Sequence, residues 1–540
     1  MATHIRPHSA APGHEEIGDT NEPFTAEAVI RAVNSPRRTT HVLRRTADGC
    51  LGVTSDDDTV TRVPPGCEHM ASLPPIYPEW LGGHPFRQAH RARFAYLSGE
   101  MANGIATTAM VRAMASVGMI GMFGAGGLPP QYVERAVTEL SDRLGTDGLW
   151  GVNLIHSPAE PALENAVADL LVERRVPRIS ASAYMGLTPA VVHCAAAGLR
   201  TDPSGRVVRR TRLFVKISHP SVAEQFMTPA PARILRDLVA CGRLTESEAR
   251  LAALVPVAED ITVEADSGGH TDNRPLTALL PRILDVHDGI VRRFGYARDI
   301  RIGAAGGLGT PQAVASAFAM GAAYVVTGTV NQLAVEAGIS EHAKDALAEA
   351  DITDVTMAPA ADMFELGVRL QVLSSGTMFA PRASRLYTVY RDHASLDEVP
   401  RTVRERLERD VLGMPISEVW ARTRAFWQQR DPAQLARAEA DPKHRMALVF
   451  RWYLGLSSHW AIDGDGGRRA DYQIWCGPAI GAFNQWRAGS FMADRANCTV
   501  TQIALNLMEG AAHVTRAQQL RASGVPVPAA CFSPPPRPLK

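Results

Sequence analysis

The chain has 540 residues, of which 46% are hydrophobic and 21% charged, and its 56 Lys and Arg balance its 56 Asp and Glu. This length exceeds what one hydrophobic core usually organises, so two or more structural units of an ordinary globular protein are predicted. Zero net charge argues against a nucleic-acid binder. The seven scattered cysteines form no Cys-x-x-Cys pair, which argues against a metal site and for a reducing compartment.

The sequence predicts a cytoplasmic protein that does not insert into a membrane. Residues 1–23 contain His, Glu, Asp and Pro where a signal peptide needs an apolar stretch. The longest apolar run, residues 313–327, is too short to span a bilayer and contains Ser316 and Gly321. It is interpreted as the end of a helix followed by a buried strand.

The N-terminal part is predicted to hold little regular structure. Residues 1–35 are rich in Pro, His, Ala and Glu without periodicity, which predicts disorder. Alternation of apolar and polar residues over 39–56, around Asp48-Gly49, predicts a small hairpin, and a Pro-rich connector follows. Residues 36–90 are therefore assigned to an N-terminal β and linker segment.

Short apolar runs then alternate with stretches of helical spacing, which is typical of βα units. The predicted strands are residues 94–98, 118–123, 150–154, 178–183, 213–218, 260–265, 300–304 and 323–327. Eight units of this kind fit a closed (β/α)8 TIM barrel better than an open doubly wound sheet. We assign this α/β barrel to residues 91–340.

The remaining segments are predicted to be mainly helical. Residues 221–259 exceed a simple crossover and predict a helical insertion, with helices over 230–241 and 245–254 and Thr245 as an N-cap. Residues 341–530 are assigned to a mainly helical C-terminal region. Its predicted helices include residues 362–373, 399–412 and 441–456. Residues 531–540 form a Pro-rich tail, predicted to be solvated.

Two glycine-containing segments follow the last two predicted strands. In Gly306-Gly307-Leu308-Gly309-Thr310-Pro311 the glycines permit close backbone approach, Thr310 is placed as an N-cap and Pro311 begins a helix. Gly328-Thr329 ends the eighth strand. Such a pair of loops is where phosphate-bearing ligands bind in these barrels, although each loop alone is also explained as an ordinary turn.

A histidine follows the sixth predicted strand in the run Asp266-Ser267-Gly268-Gly269-His270. The glycines expose backbone amides, and the imidazole lies at the C-terminal rim of the barrel, where it can exchange a proton near neutral pH. A histidine after two glycines is more often a turn residue, but its place on the catalytic rim favours a catalytic role for His270.

Three further positions are weaker candidates. Asn153 has an amide able to hydrogen-bond a ring edge or a phosphate ester. The small residues of 99–104 suit a flat ring against backbone or an ordinary βα loop. Lys216 is a strand residue that can form a Schiff base if burial lowers its pKa, and a contact with a charged ligand or a surface position is the simpler interpretation.

Two other patterns are assigned no function. Gly124-Ala125-Gly126-Gly127 resembles part of a dinucleotide fingerprint, but it lacks the full spacing and the acidic residue of a following strand. Two arginine clusters, at positions 206, 209, 210 and 212 and at positions 401, 404, 406 and 409, are interpreted as solvated faces able to attract an acidic partner.

The order of these motifs resembles the nitronate monooxygenase and FMN-dependent enoyl reductase superfamily: GVN after the third strand, DSGGH after the sixth, AAGGLGTPQ after the seventh and TGT after the eighth. Four longer segments look like the PfaD group of trans-acting enoyl reductases. They are MANGIA at 101–106, FVKISHP at 214–220, APAADMFELG at 358–367 and IWCGPAIGAFN at 474–484. The resemblance runs from about residue 74 to the last helices.

The resemblance implies an FMN-dependent enzyme that reduces the α,β-double bond of an enoyl thioester. It implies NADPH as hydride donor and, as partners, acyl carrier protein domains of a polyketide or polyunsaturated fatty acid synthase, with a homodimer left open. His270 would supply a proton and Lys216 stabilise charge. The implied flavin contacts are Met101, Asn103, Asn153, Lys216, Gly268, Gly269, Gly306, Gly307, Gly309, Gly328 and Thr329.

Other functions stay open. The superfamily often has Glu-Ala before Gly-Gly-His where this chain has Asp266-Ser267, which weakens a transfer of nitronate oxidation. A non-catalytic, flavin-binding assembly subunit of a megasynthase is an alternative from a different class. A phosphate-sugar isomerase or aldolase barrel is a third alternative, which the observation of a flavin absorbance spectrum would exclude.

Overall fold

The computed structural model of the chain describes residues 23–55, 63–158 and 160–540. These residues form two compact units. The first comprises the described residues of Met1–Tyr77 together with Ala512–Pro534, and the second comprises those of Pro78–Ala511 together with Pro535–Lys540. None of the helices within these described ranges is both long and apolar enough to cross a membrane.

The strands of the described residues are numbered β1 to β16 in chain order. They are Thr40–Arg45, Leu51–Ser55, Cys67–Leu73, Tyr96–Ser98, Ile120–Phe123, Trp150–Ile155, Arg178–Ser182, Arg200–Thr201, Val207–Val208, Arg212–Ile217, Asp260–Glu264, Gly269–His270, Arg301–Ala305, Val325–Thr327, Val355–Pro359 and Arg369–Leu373.

The α-helices are numbered α1 to α19 in the same way. They are Ala26–Asn34, His84–His90, Thr108–Ser116, Pro130–Leu144, Pro161–Glu173, Pro189–Ala196, Pro220–Met227, Ala232–Ala240, Glu246–Ala252, Leu276–Phe294, Pro311–Ala319, Glu341–Glu349, Phe379–Asp392, Arg401–Leu407, Ile416–Arg430, Pro432–Ala440, Pro442–Asp463, Ala479–Arg487 and Val500–Ala522.

The first unit contains an antiparallel sheet in the order β2-β1-β3, in which β1 and β2 form the predicted hairpin. The strand β3 was not predicted, because it is mostly exposed and shows no apolar alternation. The prediction of disorder over residues 1–35 is wrong for α1. Thr25 caps this helix, and its apolar face buries Val29 and Val33 in the core of the unit. Residues 1–22 lie outside the described residues.

The second unit is built around a closed barrel of eight parallel strands in the order β10-β11-β13-β14-β4-β5-β6-β7. These are the eight predicted strands, so the predicted (β/α)8 fold class is confirmed. The prediction succeeds because the strands of a parallel barrel are covered on both faces and therefore read as apolar runs. All residues of β5 and β13 are buried, and so are all residues of β6 except Ile155.

Capped helix N-termini determine the geometry of the rim at the carboxyl ends of the strands. The Thr107, Thr188 and Thr310 side chains each accept a hydrogen bond from a backbone N–H in the first turn of α3, α6 and α11, respectively. Pro311 occupies the first position of α11, as predicted. These caps fix the direction in which each chain leaves its strand, and therefore the geometry of the rim loops.

The predicted insertion contains α7, α8 and α9. Thr245 caps α9 in a capping box with Glu248, and the Glu248 carboxylate also accepts a hydrogen bond of 2.6 Å from the Gly198 backbone N–H, just after α6. Arg243 donates to Asn165 on α5 at 2.7 Å. The helices α8 and α9 therefore pack on the outside of the barrel.

The C-terminal region is helical except for the hairpin β15–β16, and here two predictions are wrong. The predicted helix over 362–373 is a 3-10 turn followed by β16, which pairs with both β15 and β12. Ladder pairing with a distant segment overrides the helical spacing. The Pro-rich tail is not free in solvent: the Arg537 N–H donates to the Asn506 side chain, and the Leu539 N–H donates to that of Gln502.

Candidate active site

His270 lies on a short strand that is held in place by the C-terminal region. In the ladder between β12 and β16, Gly269 faces Gln371 and His270 faces Leu370. The Gln371 amide donates to the Asp266 carboxylate and to the Ser267 carbonyl, both at 2.8 Å. The loop after the sixth barrel strand is therefore fixed by backbone pairing on one side and by a buried amide on the other.

The imidazole of His270 is paired with a carboxylate. His270 Nε2 lies 3.1 Å from Asp362 Oδ1, and these side chains are 32% and 52% exposed. Burial alone would lower the pKa of His270, but the hydrogen bond to Asp362 and the charges of Asp362 and Glu264 raise the pKa above its ordinary value. The ring therefore keeps its proton more readily than a free histidine.

A second charged cluster surrounds Lys216 on β10. Its Nζ lies 3.2 Å from Glu100 Oε1 and 3.5 Å from Glu264 Oε1, and the lysine side chain is 14% exposed. Burial alone would lower the pKa of Lys216, but the two carboxylates raise the pKa above its ordinary value. Because a Schiff base needs a neutral amine, the condition set for Schiff-base chemistry is not met.

Glu264 connects the two clusters, since it pairs with Lys216 and its charge also acts on His270. The structure therefore brings together the two predicted catalytic residues. Sequence reasoning assigned no role to Glu100, Glu264 or Asp362. Asp362 could have been noticed as a candidate from its place in the APAAD segment. Glu264 becomes a candidate only in the folded barrel, where the end of β11 lies beside Lys216.

Three of the glycines implied as flavin contacts lie beside open space. A Cβ added at Gly269, Gly307 or Gly328 would have no other heavy atom within 4 Å. Gly269 and Gly307 also have positive φ angles of 78° and 72°, which favour glycine. The backbone at these three positions is open to a ligand.

The other predicted glycines serve close packing. A Cβ at Gly268 would lie 2.7 Å from Cys476 Cα, one at Gly306 would lie 2.7 Å from the Ala265 carbonyl carbon, and one at Gly309 would lie 2.3 Å from the Ala479 carbonyl oxygen. Two of these partners belong to the segment IWCGPAIGAFN, which the resemblance singled out. That segment therefore braces two rim loops.

The loop after the first barrel strand interlocks with Gly124–Gly127. The Asn103 N–H donates to the Gly126 carbonyl at 2.7 Å, and Asn103 has a positive φ of 56°. A Cβ at Gly124 would lie only 1.7 Å from the Met101 carbonyl oxygen. The Gly-rich run, assigned no function from the sequence, thus holds the loop that carries Met101 and Asn103.

Asn153 and Thr329 are both already bonded within the protein. The Asn153 amide nitrogen donates to the Ser180 carbonyl at 3.0 Å and to the Ser182 hydroxyl at 2.9 Å, so its carbonyl oxygen is the atom left for a ligand. The Thr329 hydroxyl accepts a hydrogen bond of 3.3 Å from the Gly477 N–H.

Two protein-family models match the chain. The nitronate monooxygenase model matches residues 239–376, a range that includes His270 and the loops after the last two barrel strands. The model for the inserted helical domain of [acyl-carrier-protein] S-malonyltransferase matches residues 393–472, within the helical C-terminal region. With its eight-stranded barrel, the chain is a nitronate monooxygenase-like α/β barrel protein.

Two similar proteins indicate which group of these barrel proteins the chain resembles. One of the polyunsaturated fatty acid synthase subunits of Thraustochytrium sp. is 44% identical over 449 residues, which is 82% of this chain and 30% of the relative. The polyketide biosynthesis protein PksE of Bacillus subtilis is 40% identical over 433 residues, which is 80% of this chain and 56% of the relative. The chain thus spans less than two thirds of the length of each.

A solved structure matches over nearly its whole length. The enoyl reductase domain of MlnA, from the macrolactin biosynthesis cluster of Bacillus amyloliquefaciens, has a TM-score of 0.78 and 34% identity, over 82% of this chain and 99% of that domain. The chain therefore belongs to the PfaD-type enoyl reductase family of polyunsaturated fatty acid and polyketide synthases, as its motifs predicted.

Proposed function

We propose that the chain is an FMN-dependent reductase of enoyl thioesters carried on acyl carrier protein domains, with NADPH as hydride donor. The observation that carries this proposal is the pairing of His270 with Asp362 beside the charged Lys216 cluster, at the rim where the glycine-containing loops are open. The similarity to an enoyl reductase domain and to synthase subunits supports the substrate class.

The open loops fit the phosphate of FMN. Phosphate binding needs backbone N–H groups that a ligand can approach closely, and Gly307 and Gly328 leave that space free. Helix α11 begins beside Gly307, with the partial positive charge of a helix N-terminus. The other proposed contacts are Met101, Asn103, Asn153, Lys216, Gly268, Gly269, Gly306, Gly309 and Thr329.

FMN, when bound, would pass a hydride from NADPH to the β-carbon of the enoyl thioester. Negative charge then develops on the thioester oxygen, which requires a hydrogen-bond donor nearby. The ammonium of Lys216 has three N–H bonds, and Glu100 and Glu264 can accept two of them. In our proposal the third N–H serves the thioester oxygen or the flavin.

His270 is the proposed donor of the proton that the α-carbon needs. Its Nε2 is bound to Asp362, so Nδ1 is the atom left for the substrate. Only the imidazolium has an N–H on both nitrogens, and the raised pKa of His270 favours this form at neutral pH. After the transfer the product is a saturated thioester, and the partly exposed ring takes a new proton from solvent.

A rapid-mixing experiment tests the proposal. The purified protein should show a flavin spectrum that NADPH bleaches, and an enoyl-carrier thioester should reoxidise it faster than air does. Flavin reduction by a nitroalkane without NADPH, followed by turnover in air, would instead support nitronate oxidation, which the family-model match over 239–376 keeps as the second candidate.

Substitution of the proposed proton donor separates catalysis from assembly. His270→Ala should lower turnover by ~10²-fold or more while the flavin stays bound. His287→Ala is the matched control, because His287 also pairs with an aspartate, at 2.9 Å, but lies on α10 outside the rim. Unchanged product saturation in the His270→Ala protein would favour a non-catalytic role in assembly.

A further inference from the structure

A basic cavity lies at the other end of the barrel. Its volume is about 510 Å³, within the range of roughly 300–1,000 Å³ that is typical of small-molecule sites. Three carboxylates and six arginines line it. The arginines are Arg91, Arg200, Arg209, Arg210, Arg212 and Arg298.

Part of this charge is balanced within the protein. Arg209 Nε donates to Glu259 Oε1 at 2.9 Å, and both side chains are almost fully buried. The Asp202 carboxylate accepts hydrogen bonds from the backbone N–H groups of Ser204 and Arg206 within its own turn. The prediction that this arginine cluster is a solvated face is therefore wrong for Arg209, because the ion pair draws it into the protein.

The other arginines of the cavity form no such ion pair. Among the residues that the structure describes, only Arg209 of the six lining arginines pairs with a carboxylate, and Arg212 and Arg298 do not. Burial lowers the pKa of Arg212, although the charges of Asp260 and Glu259 oppose this shift; the charges of Arg301 and Arg298 add to it. The Nε of Arg298 is buried without a hydrogen-bond partner. Positive charge that is partly removed from water in this way is costly unless an anion pairs with it.

The cavity is separate from the site around His270. Arg212 is the first residue of β10, whereas Lys216 lies four residues further along the same strand. A strand rises by about 3.3 Å per residue, so Arg212 and Lys216 lie roughly 13 Å apart along β10. A partner docked here would not deliver a thioester to the catalytic rim.

We propose that this cavity binds a small phosphate-bearing ligand with two or more negative charges. A guanidinium presents its N–H groups in a planar fork that matches two oxygens of a phosphate, and Arg212 and Arg298 are two such forks without an ion-paired carboxylate. The recessed position of these side chains favours a small ligand over a flat protein surface. This site goes beyond the proposed reductase function and does not depend on it.

Calorimetric titration with inorganic pyrophosphate tests the proposal. The full-length purified protein is titrated at constant ionic strength, with chloride as reference anion. We expect the wild type to bind and Arg298→Gln to bind about ten-fold more weakly, since hydrogen bonds to charged groups are worth ~1.5 kcal/mol or more. Asp147→Asn should bind more tightly, because it removes a negative charge from the cavity lining.

Arg406→Gln is the matched control, because Arg406 is exposed on α14 and lies outside the cavity. Its affinity should equal that of the wild type. The rim loops are a second place where pyrophosphate can bind, and the Arg298→Gln and Asp147→Asn proteins distinguish the two. Absence of binding, or an affinity unchanged in both variants, would overturn the proposal. Binding of an acidic protein without any pyrophosphate heat would overturn it in favour of a macromolecular partner.

Discussion

Gly124→Ala should disrupt the rim without touching an ionisable group. Gly124 follows β5 directly, and the Cβ of an alanine there would lie 1.7 Å from the Met101 carbonyl oxygen and 2.6 Å from its carbon. An ordinary carbon–oxygen contact is at least about 3.3 Å. Because the obstructing atoms are backbone, rotation of a side chain cannot relieve the clash, and the loop that carries Met101 and Asn103 must move by roughly 1.5 Å.

The size of this shift sets the expected effects. Overpacking of this kind typically lowers the free energy of unfolding by about 1–3 kcal/mol. Because the clash is with backbone, we expect a loss of about 3 kcal/mol. For a large domain this lowers the melting temperature by roughly 5 °C. A misplacement of about 1 Å in groups that position a substrate can lower kcat/KM by ~10²-fold. We therefore expect weakened flavin binding together with a loss of enoyl reduction.

Flavin content, melting temperature and kcat/KM should be measured on the same preparations. Gly289→Ala is the matched control, because Gly289 lies inside α10 and an added Cβ would meet nothing within 4 Å. Alanine in a helix interior should stabilise the protein by about 0.5–1 kcal/mol and leave the flavin bound. A Gly124→Ala protein with wild-type melting temperature, flavin content and activity would refute the reasoning.

Asp362→Asn removes the carboxylate that raises the pKa of His270, so the alkaline limb of the pH–rate profile should move to lower pH; an unmoved limb would contradict the pairing. Lys216→Met should destabilise the protein by about 3 kcal/mol in urea unfolding, since two carboxylates lose their cation. An unchanged free energy of unfolding in this variant would argue against the pairing. Burial lowers the pKa of His90 from 6.5 to about 4, so the free energy of unfolding should fall as the pH drops from 6.5 towards 4, and His90→Gln should flatten this slope.

The barrel was predictable because its signal is local. Each parallel strand is an apolar run, and a capping threonine followed by proline marks the start of α11 at Thr310. The order of the loops along the chain was then enough to predict that His270 lies on the rim, because this prediction needs no contact between distant residues. This part of the fold required only the pattern of neighbouring residues.

The residues that escaped prediction depend on contacts between distant parts of the chain. The helical spacing of 362–373 gave no sign that β16 would pair with β12, a segment about a hundred residues earlier. Glu100 and Glu264 meet Lys216 only after the barrel closes. Arg209 was assigned to solvent for the same reason, because its partner Glu259 lies fifty residues away in sequence.

The pairing of β12 with β16 has a consequence for biosynthesis. On the ribosome, the eight strands of the barrel emerge well before Gln371, so a nascent chain that has already closed its barrel still lacks the backbone partner of Gly269 and His270. Asp362 and the bracing Cys476 emerge later than the barrel as well. The histidine therefore acquires its final geometry only after most of the C-terminal region has been synthesised.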